Sequence, residues 1–356
     1  MYEVPVATSV YAYPSCQVPG HTYFMNCWSR PPGDTNPAHW LMKIHKLFEL
    51  AEVAGDGGPA LLPSFDSLAF HQCASYDQVV RQGLWAWGKS VFEAATRRWL
   101  DVGLWQGPYQ TRVIELNIPD QEWTCFEDLV FETQYGTWFP ESQYILKWRQ
   151  SLLESVGLQD DNSMPDEGLV KRCGANRLRI HVFKRTEGRG LREFVNLDEV
   201  VALAQTYTSL PINVVTIDST TPVRAQAALF REFDLLITPH GSQIANIIFT
   251  DPERTGIIEV LPVVRDRTFA NNARDAGFLS YITSTGHAPV SADANLDSPC
   301  VNGSEIMKRN CWVDPGTDIW DCKNEWRNAL TSCNTVVNTT ILQQHIKTAV
   351  AKLCAS

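Results

Sequence analysis

Short apolar runs alternate with longer amphipathic stretches along most of the chain, a pattern of mixed strands and helices. In the first half, residues 39–51 carry apolar side chains at helical spacing. A turn-rich entry over 31–37 precedes them, with Thr35 and Asn36 as capping candidates. Gly55-Asp56-Gly57-Gly58 closes this helix, and residues 59–63 read as a short strand edge. Helices are predicted over 78–87 and 90–100, and short strands over 111–116 and 128–132. Residues 143–156 form a strongly amphipathic helix that stops at Gly157.

The second half is more regular. Strands are predicted over 177–183, 213–217, 234–238 and 256–261. Helices are predicted over 196–207, with Asn196 as N-cap, over 221–233, with Pro222 in the first turn, and over 243–249. Strands and helices in strict alternation imply right-handed crossovers and a parallel sheet. Such sheets bind ligands outside the carboxyl ends of their strands. The polar stretch 159–168 is the linker candidate, which divides the chain into an amino-terminal domain (1–165) and a second domain (166–289). A cysteine-containing tail (290–356) follows, with a final helix from about 339 to 353 that packs back on the body.

Composition narrows the function classes. At 356 residues and 44% hydrophobic content the chain can bury two domain cores. A net charge of -10 and a pI near 5.3 argue against a nucleic-acid partner, which would need a basic stripe. Any phosphate must be held locally, by a few basic groups and backbone N–H donors. Ten cysteines without a CxxC pair argue against a zinc site or a thioredoxin-like redox motif. Cys300, Cys311, Cys322 and Cys333 recur every eleven residues, but Pro315 and Gly316 interrupt any helix there, so the spacing reads as coincidence in a loop-rich, disulfide-bonded tail. With the sequons Asn302-Gly303-Ser304 and Asn338-Thr339-Thr340, the cysteine content points to an oxidising, lumenal or secreted setting. The first twenty residues lack the basic start and apolar run of a signal peptide, and no apolar run is long enough to span a bilayer. The many tryptophans, Trp85, Trp87, Trp99, Trp105, Trp123 and Trp138 among them, read as core rather than sugar-stacking platforms.

Two segments carry candidate chemistry. In Asp234-Leu-Leu-Ile-Thr-Pro-His-Gly-Ser-Gln-Ile-Ala-Asn246 an apolar strand ends in a tight turn and a helix begins. Gly241 allows a ligand close to the backbone, and the first helical N–H groups offer an anion site. His240 stands at the strand end, and Ser242 either caps the helix or donates to a phosphate. The second segment, residues 183–192, follows the first strand of the second domain and carries Lys184, Arg185, Arg189 and Arg192. Arginines there suit bidentate clamping of a pyrophosphate, and Arg185 lies nearest the strand end.

The spacing of Arg185 to Asn196-Leu197-Asp198-Glu199, the Leu229-Phe230 and Asp234 positions, the Pro-His-Gly loop with Asn246, and Ile258-Glu259-Val260-Leu261-Pro262 resemble glycosyltransferase family 61. That family includes O-linked N-acetylglucosaminyltransferases of secreted and lumenal proteins and plant xylan xylosyl- and arabinosyltransferases. Asn36-Pro37-Ala38-His39-Trp40-Leu41 is similar to the family's Asn-x-x-His-Trp segment, and the likeness spans roughly residues 30–285. One departure is that Ser242 and Gln243 stand where the family reads Ala-Gly.

The resemblance implies a GT-B fold of two Rossmann-like domains facing a cleft, with acceptor in the first and nucleotide sugar in the second. It implies inverting, metal-independent transfer from a nucleotide-sugar donor, expected to be UDP-linked, to a hydroxyl of a glycan or glycoprotein. The expected base is His39, with Asp34 as second choice. The expected donor residues are Arg185, Arg189, His240, Gly241, Ser242, Gln243, Asn246 and Glu259, the last for the ribose hydroxyls. The expected location is the lumen of the Golgi or endoplasmic reticulum, or outside the cell, with a membrane reached only through an anchor that this chain does not carry. Two competitors remain at this point. One is an inactive relative serving as a carbohydrate- or protein-binding module, kept open by Gln243. The other is a nicotinamide-dependent oxidoreductase, disfavoured by the lack of GxGxxG after any strand.

Overall fold

The computed structural model describes residues 144–158, 168–185, 192–218, 220–261, 268–290 and 333–355, together with strands and helical positions named below for residues 18–131. The chain divides into two compact units, Met1–Gln159 and Asp160–Ser356.

The first unit holds a four-stranded sheet built from β1 (Val18–Asn26), β2 (Ser67–His71), β3 (Val113–Leu116) and β4 (Phe126–Phe131). Their order is β3-β2-β1-β4 and every pairing is parallel. β3 and β4 fall on predicted strands. β1 and β2 were not expected, because Pro19, Gly20 and His21 interrupt the first run and Ser67 and His71 bound a short second one. Helix α1 (Ile145–Ser155) buries Ile145, Trp148, Leu152 and Leu153 along one side. Trp148 meets Phe48 at a centroid distance of 4.8 Å, and Lys147 reaches Glu52 at 2.6 Å. His45, Phe48, Glu49, Ala51 and Glu52 are helical, as are Ser90, Val91, Ala94 and Ala95, in line with the predicted helices there. The predicted strand edge over 59–63 and helix over 78–87 lie outside the described residues.

The second unit is built on a five-stranded parallel sheet. Its elements run α2 (Leu169–Gly174), β5 (Ile180–Phe183), α3 (Leu197–Gln205), β6 (Asn213–Val215), α4 (Val223–Phe230), β7 (Leu235–Pro239), β8 (Gly256–Val260), α5 (Thr268–Asp275) and β9 (Ser280–Ser284). The strand order is β6-β5-β7-β8-β9. β5, β7 and β8 are buried at every position, which explains their mainly apolar sequences. A small antiparallel pair, β10 (Ala288–Val290) with β11 (Asn334–Val336), and helix α6 (Thr339–Ala355) complete the unit. Leu342, Ile346, Ala349 and Leu353 of α6 are fully buried in one cluster with Ile180, Val182, Leu235, Ile237, Ile258 and Val260. A disulfide joins Cys173, at the end of α2, to Cys354, across 181 residues of sequence. The final helix is therefore part of the core.

At the amino-terminal edge of the sheet, Asp234 is buried between two arginines. Arg172 donates to it at 2.9 and 2.7 Å and Arg179 at 2.8 Å, with the Arg179 backbone N–H adding a bond at 2.9 Å. This network holds α2 and β5 to the start of β7, at the end of the sheet opposite the candidate site. One predicted helix is corrected. Residues Ser242–Phe249 form a 3-10 helix rather than an α-helix, beginning with an Ile244 N–H to Gly241 carbonyl bond of 3.0 Å. Ile244 to Phe249 are all buried in this tighter helix. Among the described residues, no helix is long and apolar enough to cross a membrane.

Candidate active site

Strand order locates the site before any side chain is considered. From β5 the chain moves outward to β6, then returns to place β7 on the other side of β5. The order reverses between β5 and β7, and the crevice at such a switch point, outside the carboxyl ends of the strands, is where parallel α/β sheets bind ligands. Arg185 follows β5 and the Pro239-His240-Gly241 loop ends β7, so the two candidate segments flank the same crevice.

Two arginines converge there. Arg185 donates to the His240 carbonyl at 3.3 Å, and Arg192 donates to the same oxygen at 3.2 Å. Burial lowers the pKa of the Arg185 guanidinium from its ordinary value. Two guanidinium groups thus meet at one backbone oxygen at the carboxyl end of the sheet. Arg192 takes a left-handed backbone (φ 51°), a conformation that costs a non-glycine residue about 1–2 kcal/mol. The strain is sustained by the next residues, which ladder onto β11. The Glu193 N–H bonds Asn334 Oδ1, the Thr335 N–H bonds the Glu193 carbonyl, and the Val195 N–H bonds the Thr335 carbonyl.

Gly241 is required for space rather than for an unusual φ. A Cβ there would collide with the Arg185 guanidinium and the end of the Gln243 side chain. The family-like loop thus makes room for the arginine. Gly241 occupies the N-cap position of the 3-10 helix, so Ser242 does not cap it and stands half-buried in its first turn. Gln243 folds back, donating to the Pro239 carbonyl at 2.7 Å, and Asn246 is buried and donates to the Gln243 carbonyl at 3.2 Å. Both residues brace the turn. Because the helix is 3-10 and short, the arginines rather than an α-helix N-terminus supply the positive field here.

His240 and Glu259 form the other half of the site. His240 Nδ1 lies 2.6 Å from Glu259 Oε1, and the Tyr281 hydroxyl donates to Glu259 Oε2 at 2.8 Å. Glu259 is fully buried on β8, with both oxygens occupied. It has no exposed oxygen for a ribose, so the role expected from the sequence gives way to one toward His240. The Phe269 ring stands edge-on to the imidazole at 5.4 Å.

The structure therefore brings Arg185, His240, Gly241, Ser242, Gln243, Asn246 and Glu259 to one end of the sheet. Arg189, His39 and Asp34 lie outside the described residues. Sequence order alone favours Arg185 over Arg192, which is far from the strand end. Its placement depends on β11, more than 140 residues later. Among the described residues, no group of three or more histidine, cysteine, aspartate or glutamate side chains gathers to hold a metal ion.

A family model described as Glycosyltransferase 61 matches residues 38–258, more than half of the chain, with Arg185, Arg192 and the whole 239–246 turn inside the match. No curated protein gives a significant match to the chain.

Proposed function

The chain belongs to glycosyltransferase family 61 and is a glycosyltransferase; from that premise, we propose that its second unit binds a nucleoside-diphosphate sugar, expected to be a UDP-sugar. The sugar passes, with inversion at the anomeric carbon, to a hydroxyl of a glycan or glycoprotein held by the first unit in a GT-B arrangement. The observation that carries this reading is the convergence of Arg185 and Arg192 on the His240 carbonyl at the β5–β7 switch point.

In such a transfer the acceptor oxygen forms the new bond as the bond from the anomeric carbon to the diphosphate breaks. The leaving diphosphate gains negative charge, and preorganised cations facing it stabilise the transition state more than the ground state. Arg185 and Arg192 are placed for that work, with His240 and the Gly241 turn beside them. No metal is needed for charge neutralisation in this scheme. The acceptor proton goes to a base from the first unit, for which His39 and then Asp34 remain the candidates. The Cys173–Cys354 disulfide supports a secretory-pathway lumen or the cell exterior as the working environment.

The test is a thermal-shift screen of the full chain with UDP, GDP, CMP and NAD, with and without EDTA. A ligand that binds only the folded state raises stability by about 2.7 kcal/mol at a hundred times its dissociation constant. UDP is expected to stabilise the protein equally in EDTA. Arg185→Ala and Arg192→Ala are each expected to weaken UDP about 10- to 100-fold, the range for losing a charge-assisted hydrogen bond. Wild-type affinity in both variants, or stabilisation by NAD alone, overturns the reading.

A further inference from the structure

Helix α6 is closed at its start by a side chain with a second capacity. Asn338 precedes Thr339, the first residue of the helix, and its Oδ1 accepts the N–H groups of Thr340 at 3.1 Å and Ile341 at 3.3 Å. These amides belong to the first turn, whose N–H groups have no partner within the helix, and asparagine is among the residues best suited to cap them. The backbone beneath the cap is clamped. The Asn338 N–H donates to His287 Nδ1 at 3.0 Å, and the Val337 N–H and carbonyl both bond the Asn196 side chain, at 2.8 and 3.0 Å.

The cap uses only one half of the carboxamide, the oxygen that accepts, and not the nitrogen that donates. Asn196 spends both halves inside the protein, its Oδ1 on the Val337 N–H and its Nδ2 on the Val337 carbonyl and Glu199. Asn338 differs. The residue is exposed, and among the described residues no hydrogen bond engages its Nδ2. With the oxygen held on the helix, the nitrogen of the same planar group is turned away from the amides it caps. Asn338-Thr339-Thr340 is also an acceptor sequence for N-linked glycosylation, with no proline at its middle position, and Thr340 is exposed as well. The other such sequence, at Asn302, lies outside the described residues.

We propose that Asn338 is an N-glycosylation site, its Nδ2 bearing the glycan while its Oδ1 caps α6. This rests on the reading of the secretory pathway as the working environment. The donor is a polyprenyl-diphosphate-linked oligosaccharide. A bond forms between Nδ2 and the anomeric carbon of the first sugar as the bond from that carbon to the diphosphate breaks. Nδ2 gives up one of its two protons, and the lipid diphosphate leaves. The product is still an amide, so the oxygen that caps the helix is unchanged and the folded unit loses no hydrogen bond on modification. A bulky glycan needs a surface position, which the exposure of Asn338 and Thr340 provides.

The experiment is site-resolved mass spectrometry of the full chain, carried into the secretory pathway of a eukaryotic cell by an added leader. Peptide-N-glycosidase in heavy-oxygen water turns a glycan-bearing asparagine into labelled aspartate, and fragmentation of the tryptic peptide ending at Lys347 assigns the label to a residue. Label at Asn338 in wild type and its loss in Thr340→Ala, which breaks the acceptor sequence but keeps the Asn338 cap, is the expected result. Asn338→Ala, which removes cap and glycan together, should melt about 2–4 °C below Asn338→Asp, which removes the glycan and keeps a capping oxygen. Equal melting of these two variants overturns the double role. An unlabelled Asn338 in secreted protein whose Cys173–Cys354 bond has formed overturns the glycan and leaves the secretory reading standing, as does label that persists in Thr340→Ala. An unlabelled Asn338 with Cys173 recovered as a thiol strikes the secretory reading as well.

Discussion

Acidification should loosen the second unit through two buried histidines, and the size of the effect follows from their surroundings. His287 is 4% exposed, and its pKa is lowered to about 4, first by burial and then by the nearby His345. Its Nδ1 accepts the Asn338 N–H at 3.0 Å, just before α6, and its Nε2 lies 2.8 Å from Ser284 Oγ, which also meets His345 Nδ1 at 2.8 Å. Protonating His287 at Nδ1 would break the bond to Asn338, so burial and hydrogen bonding both favour the neutral ring. His181 is 2% exposed on β5. Its pKa is likewise lowered to about 4, by burial and the charge of Arg179, against an opposing pull from Asp234.

A histidine with a depressed folded-state pKa binds its proton more readily in the unfolded chain. Stability is then full above the unfolded value of 6.5 and falls as pH drops through the window from 6.5 to about 4. Between pH 7 and pH 5 each of these histidines should cost about 2 kcal/mol. Together they remove about 4 kcal/mol from a total that for a domain is about 5–15 kcal/mol. Urea unfolding at a series of pH values, with tryptophan fluorescence as the readout, measures the loss. His287→Gln should remove roughly half of the pH dependence while His181 keeps the rest. A flat stability between pH 7 and 5, or an unchanged slope in His287→Gln, would refute this account.

Two further substitutions separate the site from the scaffold. Gly241→Ala should leave the melting temperature nearly unchanged, because the colliding atoms are the ends of the flexible Arg185 and Gln243 side chains. It should nevertheless weaken UDP by about tenfold or more in titration, since the guanidinium is pushed from its place. Asp234→Asn should do the reverse. It leaves Arg172 and Arg179 without their shared charge in a buried setting, costing about 3–5 kcal/mol in chemical denaturation. Any protein that still folds at low temperature should retain UDP binding.

The second unit was more legible in sequence than the first, for a physical reason. β5, β7 and β8 are covered on both faces and so are written as mainly apolar runs without alternation, with His181, Thr238 and Glu259 as polar exceptions. β9 is half-polar, as Ser280-Tyr-Ile-Thr-Ser284, and gave no comparable signal. β1 begins with Val-Pro-Gly-His, which reads as a turn, although five consecutive residues from Thr22 to Asn26 pair with β2. At the site, Arg185 and the Pro-His-Gly turn could be found because each sits directly after an apolar strand. The link between His240 and Glu259 could not, because it depends on the alignment of neighbouring strands, which local pattern does not encode. Arg192 was hidden for a similar reason, its position being set by Asn334 and Thr335. The 3-10 form of 242–249 was masked by an apolar content equally suited to a buried α-helix.

The placement of α6 has a consequence for biosynthesis. The helix that covers β5, β7 and β8 lies well downstream of those strands in the chain, and Leu353 packs against the edge of β8 at Gly256. Until α6 leaves the ribosome, the apolar side of the parallel sheet lacks the helix that covers it, although all five of its strands have already been translated. Cys173 likewise waits as a thiol for Cys354, 181 residues downstream. During that interval the exposed sheet is a client for folding factors, and a chain lacking the last turns of α6 would present itself to quality control as unfinished.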